Sequence, residues 1–372
     1  MKVWRADVAR RVSSGAWPVV AAVALVLLLF VAMGQPPFRA AKLMWEGAVG
    51  DRYSIGNTLM AWVPLVLAAA GLVVTFAAGL WNIGVEGQVV VGAIAATFVA
   101  REMPGPSIAL IPACLVAGMA GGVLWAALVG VLKTRGKVNE IFGGLGLDFV
   151  ASGLAVYLII GPWKRAGIAS TSGTDLFREQ AHLPTFANTT LSFVAVGLAI
   201  AGVVAVYLLM RGTLFGLRLK AVGRNPRSAF LMGIPTERYV IGAFAICGAL
   251  AWLAGAIQAI GVWHKLVPSI SGGYGFLGIL VVLLAGFSAV WIAPIALFFV
   301  MISVGATQLT LWLGLHSAIG GVIQGLLVLF VILGGGWQVR RRRARQGTAE
   351  GPSVGEGAPG GPAPVEQVEA GV

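Results

Sequence analysis

Three acids stand inside or against long apolar runs: Glu86, Glu140 and Asp148. A carboxylate at membrane depth can hold a cation, relay a proton or hydrogen-bond a polar solute, and by default it marks a functional site. Amides accompany these acids. Asn82 and Gln88 flank Glu86 in Leu80-Trp-Asn-Ile-Gly-Val-Glu-Gly-Gln88, and Asn139 precedes Glu140 in Lys137-Val-Asn-Glu-Ile-Phe142. A structural role competes with the functional one. Glu86 and Glu140 each fall in the first turn of a helix, where the dipole favours negative charge, and Asn139 is a good helix cap. Asp148 is the deepest acid, two turns beyond Glu140 and about 80° around the helix. It either pairs with a polar group on a neighbour or lines a cavity. Tyr274 lies in Ser269-Ile-Ser-Gly-Gly-Tyr-Gly-Phe-Leu-Gly278. So many glycines imply irregular backbone at the membrane edge, which survives only where protein or water covers it. That segment is either the wall of a translocation path or a tight re-entry turn. Asn82, Glu86, Gln88, Asn139, Glu140, Asp148 and Tyr274 are therefore the candidates for such a path.

Other chemistries find no support. His182, His264 and His316 are scattered and pair with no Cys or carboxylate at ligand spacing, so no metal site is expected. No catalytic residue is assigned. The nearest approach to a phosphate loop runs from Gly130 to Gly136-Lys137-Val138. It has one intervening residue too many, and Val stands where Ser or Thr would hold Mg²⁺. The chain is expected to bind no cofactor and to hydrolyse no ATP by itself. Cys114 and Cys247 both sit in apolar spans and read as packed thiols.

A second kind of site lies in the basic stretch 211–238. Asn225 followed by Pro226 is a strong helix start: Asn caps the free amides, and Pro fits the first helical position. Gly233 is placed to end the helix, with Pro235 just beyond. The result is a helix of about two turns, Pro226 to Met232, which carries Ala229, Phe230, Leu231 and Met232 outside any span. Such a helix either docks in a groove on a partner or lies on the bilayer surface.

The elements that must position these residues are membrane helices. Of the 372 residues, 58% are hydrophobic and 11% charged, against roughly 25% charged in a soluble domain. The expected fold is all-α, a polytopic bundle. Its candidate spans are 17–34, 58–80, 86–100, 107–132, 139–160, 190–210, 239–260, 275–288, 291–310 and 317–336. The stretches 86–100 and 275–288 are short enough to be half-spans. The first run is too long for a cleaved signal and reads as a retained anchor. Loops 35–57 and 161–189 then lie outside. A cytoplasmic N-terminus, 1–16, precedes the 17–336 domain, and a basic anchor with a disordered cytoplasmic tail, 337–372, follows it. The net charge of +12 is distributed as the positive-inside rule requires. Most Lys and Arg fall near the N-terminus, at Lys133, Arg135 and Lys137, in 211–238, and in the run Arg340–Arg343. Both ends are then cytoplasmic. Nucleic-acid binding is not expected, since no aromatic platform accompanies the charge. Trp81, Trp163, Trp263 and Trp291 near span ends fit an aromatic belt, and Gly118 with Gly122 forms a small-residue packing face.

Together these segments resemble the permease family of ABC importers for branched-chain amino acids, ribose and nucleosides. WNIGVEGQ (81–88), KVNEIFGGLGLDFVA (137–151), LRLKAVGRNPRSAFLMGI (217–234) and GGYGFLGILVVLLA (272–285) each look like a family element, in order, from about 55 to 336. The loop from Gly161-Pro-Trp-Lys164 to Leu183-Pro-Thr-Phe186 is most like the nucleoside branch. Asp148 stands where the family usually has Asn, and Gly143 and Gly144 replace Ser and Thr. The resemblance implies a permease subunit of the inner membrane that translocates nucleosides, or a related solute such as ribose. It implies coupling through Gly223, Asn225, Pro226, Ala229, Phe230 and Gly233 to a cytoplasmic ABC ATPase that uses ATP and Mg²⁺. It also implies a second permease, identical or homologous, and an extracytoplasmic substrate-binding lipoprotein. An ion-coupled secondary transporter, with Glu86, Glu140 and Asp148 as ion sites, is the first rival; a membrane-embedded enzyme is the second.

Overall fold

The computed structural model describes residues 20–347, except 166, 168–171 and 187–188, and over 334–347 only the backbone. The expected cytoplasmic N-terminus (1–16) and the tail beyond 347 lie outside the described residues. Helices account for nearly all regular structure, and no strand occurs among the described residues. In order they are α1 (Val20–Ala32), then α2 (Pro37–Val49), α3 (Arg52–Ala77), α4 (Val85–Glu102), α5 (Ser107–Thr134), α6 (Glu140–Ile160) and α7 (Phe193–Gly212). There follow α8 (Leu214–Arg224), α9 (Pro226–Leu231), α10 (Thr236–Ile257), α11 (Tyr274–Leu284), α12 (Ala289–Leu313) and α13 (Ile319–Gly347). A π-helical turn, Gln258–Trp263, extends α10.

Each of the ten candidate stretches falls on a helix, but they differ in length. Six helices are long and apolar enough to cross a membrane, or seven if α1 and α2 make one bent span. At 1.5 Å per residue, α11 reaches only about 16 Å, roughly half of a bilayer core. The chain is a polytopic helical membrane protein.

Two expectations are corrected. The segment 35–57 is not a loop: α2 occupies it, turned by 110° from α1, and α3 starts at Arg52. Pro37 serves at the first turn of α2 instead of breaking it, and the Asp51 carboxylate caps α3 by accepting from Ser54 N at 2.6 Å. The basic stretch 211–238 holds a second helix, α8, besides the one expected there. Leu219 and Val222 turn inward from α8, while Arg218 and Lys220 share the helix with them, and Thr213 Oγ1 caps it. α13 continues as helix to Gly347, through the stretch expected to be a basic anchor.

The centre of the bundle is α3, α4 and α10. The most apolar stretch of α3 is 83% buried, against 28% in α5, α6 and α7, which turn apolar side chains such as Leu124, Phe142 and Phe149 outward. Such faces suit lipid. Glycines let the central helices touch. A Cβ on Gly92 would come within 2.6 Å of Trp252 Cα, and one on Gly255 would run into the Val89 carbonyl. The Trp252 indole lies against Gly121 and Gly122 of α5, so the small-residue face there is a bed for a large ring.

Candidate functional site

Two groups of candidate residues sit at different places in the bundle. The first gathers at the start of α4. Glu86 is 6% exposed. Its Oε1 accepts from Gly273 N at 2.9 Å and its Oε2 from Gly275 N at 2.7 Å. A carboxylate that accepts two backbone N–H groups is satisfied, and it satisfies the irregular backbone that precedes α11. Asn82 and Gln88 are fully buried and hydrogen-bond each other, Asn82 Nδ2 to Gln88 Oε1 at 3.2 Å. Asn82 Nδ2 also donates to Cys247 Sγ on α10 at 3.2 Å. These three candidates hold α4, α10 and the segment before α11 together.

Asp148 joins them. The backbones of α4 and α6 approach so closely that a Cβ on Gly87 would lie 2.7 Å from Asp148 Cα, and one on Gly84 would lie 2.8 Å from Gly144 Cα. Gly144 is what allows the contact, since a Cβ there would lie 2.8 Å from Gly84 N. Asp148 Oδ1 is buried and has no hydrogen-bond partner among the described residues.

Asn139 and Glu140 stand apart, at the start of α6. Asn139 Oδ1 caps the helix by accepting from Ile141 N at 2.9 Å, and Glu140 forms an ion pair with Lys133 at the end of α5. Nearby, Arg135 pairs with Glu237 of α10 at 2.9 Å. These contacts tie three helix ends together at the face that also carries α8 and α9. Glu86 and Glu140 therefore have protein partners, which disfavours them as ion sites.

Tyr274 belongs to a feature the sequence did not show. Gln258, in the π-helical turn, lies beside its phenol. Both line a cavity of about 490 Å³ with Asn57 from α3, Thr190 from the stretch just before α7, Trp263 and His264. These residues are up to 217 positions apart (57 to 274), so no local pattern could have joined them. Two of the three histidines come together: the His182 and His264 rings stack at 4.0 Å. Burial, and then His182 beside it, hold the His264 imidazole below the usual histidine range.

At the opposite end lies α9. Asn225 Oδ1 caps it by accepting from Ser228 N at 3.0 Å, Pro226 takes the first position, and Gly233 closes it at φ +79°, a value glycine adopts freely. Phe230, Leu231 and Met232 are 66, 79 and 69% exposed. Ala229 faces inward at 1%. Gly223 is on α8 and presses against the backbone of Ala77 and Ala78 at the end of α3. Of the residues expected on this coupling surface, Gly223 and Ala229 are thus packing residues beneath it, and Leu231 and Met232 join Phe230 on its face.

The family model for the permease component of the branched-chain amino acid transport system matches residues 54–332, and so takes in α3 to α12, the α4 start, the cavity and α9. The chain belongs to this permease family. The permease is 33% identical to the glucose ABC transporter permease protein TsgB13 of Haloferax volcanii over 84% of this chain and 85% of that one. It is 29% identical to the guanosine ABC transporter permease protein NupP of Bacillus subtilis over 82% and 88%. It is also 29% identical to the nucleoside ABC transporter permease protein NupB of Lactococcus lactis over 82% and 86%. The permease is a multi-pass plasma-membrane subunit of an ABC importer, and ATP hydrolysis belongs to a separate subunit.

Proposed function

We propose that this permease carries nucleosides inward and is driven by a cytoplasmic ABC ATPase that docks on α9. One observation carries the reading: a short helix, capped by Asn225 and closed by Gly233, presents Phe230, Leu231 and Met232 to solvent at one end of an otherwise well-packed bundle. Exposed apolar anchors on a rigid helix suit a groove on a partner protein. The same end carries Lys133, Arg135, Arg218 and Lys220, and a cytoplasmic setting for it follows from the positive-inside rule. Both chain ends then lie in the cytoplasm, with ten stretches at membrane depth.

The remaining parts follow from this assignment. A second permease, identical or homologous, completes the pathway, and a binding lipoprotein delivers solute at the end that carries 172–190. ATP and Mg²⁺ act in the ATPase, and this chain binds no cofactor. Nucleosides are favoured because two of the relatives named above are described as guanosine and nucleoside permeases.

The test is Leu231→Asp, which puts a charge on the α9 face and leaves the cap and the packed residues in place. The expected result is a normally inserted protein that no longer co-purifies with the ATPase and no longer supports nucleoside uptake. Normal uptake by this variant would overturn the reading.

A further inference from the structure

The cavity beside Tyr274 is built from groups that come from four separate parts of the chain. Its volume, about 490 Å³, falls within the roughly 300–1,000 Å³ range of small-molecule sites. Trp263 and Tyr274 supply aromatic surface. Two amides supply complementary polar groups. Thr190 Oγ1 donates to Asn57 Oδ1 at 2.7 Å, so the Asn57 NH₂ is the group left to donate. Gln258 is 3% exposed, and its Oε1 has no partner among the described residues. A buried acceptor without a partner is costly, and a donor supplied from the cavity would remove that cost. Among the described lining residues there is no Asp, Glu, Lys or Arg, and His264 is biased toward its neutral form.

We propose that this cavity binds a neutral ring solute that carries hydroxyl or N–H donors, a nucleoside or a hexose, on its way through the permease. The aromatic rings take the face of the solute, and the Asn57 and Gln258 amides take its polar edge. An amino acid is disfavoured: its ammonium and carboxylate would be desolvated with no opposite charge to meet them. This rests on the reading of the chain as an importer permease and adds where in the bundle the solute is held and by which groups.

The experiment uses the assembled permease–ATPase complex in liposomes. The unmodified complex is first assayed for ATP-driven uptake. Absence of uptake defeats the transporter reading; uptake with the cavity result negative defeats the cavity alone. Thr185→Cys then places a thiol on the exposed part of the cavity lining, while Cys114 and Cys247 are buried. Its labelling by a maleimide is followed with guanosine, glucose or leucine present. Protection by guanosine alone identifies a nucleoside site, and protection by glucose alone a sugar site. Gln258→Leu should weaken protection about tenfold, the loss expected for one unpaired polar contact, with the labelling rate in the absence of solute unchanged. Asn57→Ala provides a second variant with the same expected outcome should Gln258→Leu fail to assemble. No protection by either neutral solute, equal protection by leucine, or full protection in both variants would overturn the proposal.

Discussion

The start of α4 and the face of α9 invert each other. At the first, polar groups lie inside an apolar bundle: Glu86, Asn82 and Gln88 are buried, and each has a partner in the protein. At the second, apolar groups lie outside it: Phe230, Leu231 and Met232 are mostly exposed, on a helix of only six residues. The polar knot has nothing left to ask of a ligand except at Asp148 Oδ1. Among the described residues nothing covers the apolar helix. A charge at membrane depth therefore need not be a transport site, and an exposed Leu on a rigid, capped helix is the better sign of where another molecule acts.

Substitutions separate the two regions by which property they change. Glu86→Ala leaves the Gly273 and Gly275 amides without an acceptor and should cost about 4 kcal/mol of stability, two charge-assisted hydrogen bonds at the upper end of such effects. A thermal melt in detergent reads this. An unchanged melt with uptake lost would move Glu86 from the knot to the path. Phe230→Ala with Leu231→Ala should do the reverse: the melt stays put, and docking of the ATPase weakens by about 3 kcal/mol, in the range of interface anchors. Co-purification of the ATPase measures it. Asn225→Ala removes the α9 cap at a cost of about 1 kcal/mol, and should reduce uptake less than the double change on the face. Asn225→Gly should cost only about 0.3 kcal/mol, so uptake close to wild type would show that the cap acts through the helix and not by touching the partner.

The sequence disclosed these regions unequally. The ends of α9 were legible because a cap and a terminating glycine act over three or four residues: Asn225 bonds Ser228, and Gly233 N bonds Phe230 O. The partners of Glu86 were not legible, because they lie 187 and 189 positions away. α8 was hidden by its charge, since Arg218, Lys220 and Arg224 make the stretch look like a solvated loop while Leu219 and Val222 fix it to the bundle. α2 was hidden by Pro36 and Pro37, which suggest a break but here mark a helix start. The cavity was invisible because its amides, Asn57 and Gln258, belong to no shared local motif.

The two bonds that Glu86 accepts, from the Gly273 and Gly275 amides, yoke the first turn of α4 to the start of α11. A shift of one helix along the other by a single residue's rise, about 1.5 Å, would part both bonds and leave a buried carboxylate without them. While the yoke is intact, those two helix starts must travel as one block. A transport cycle that opens first one face and then the other must then find its joints elsewhere. The turn at Gly286 and Phe287, both at positive φ, marks the far limit of that block.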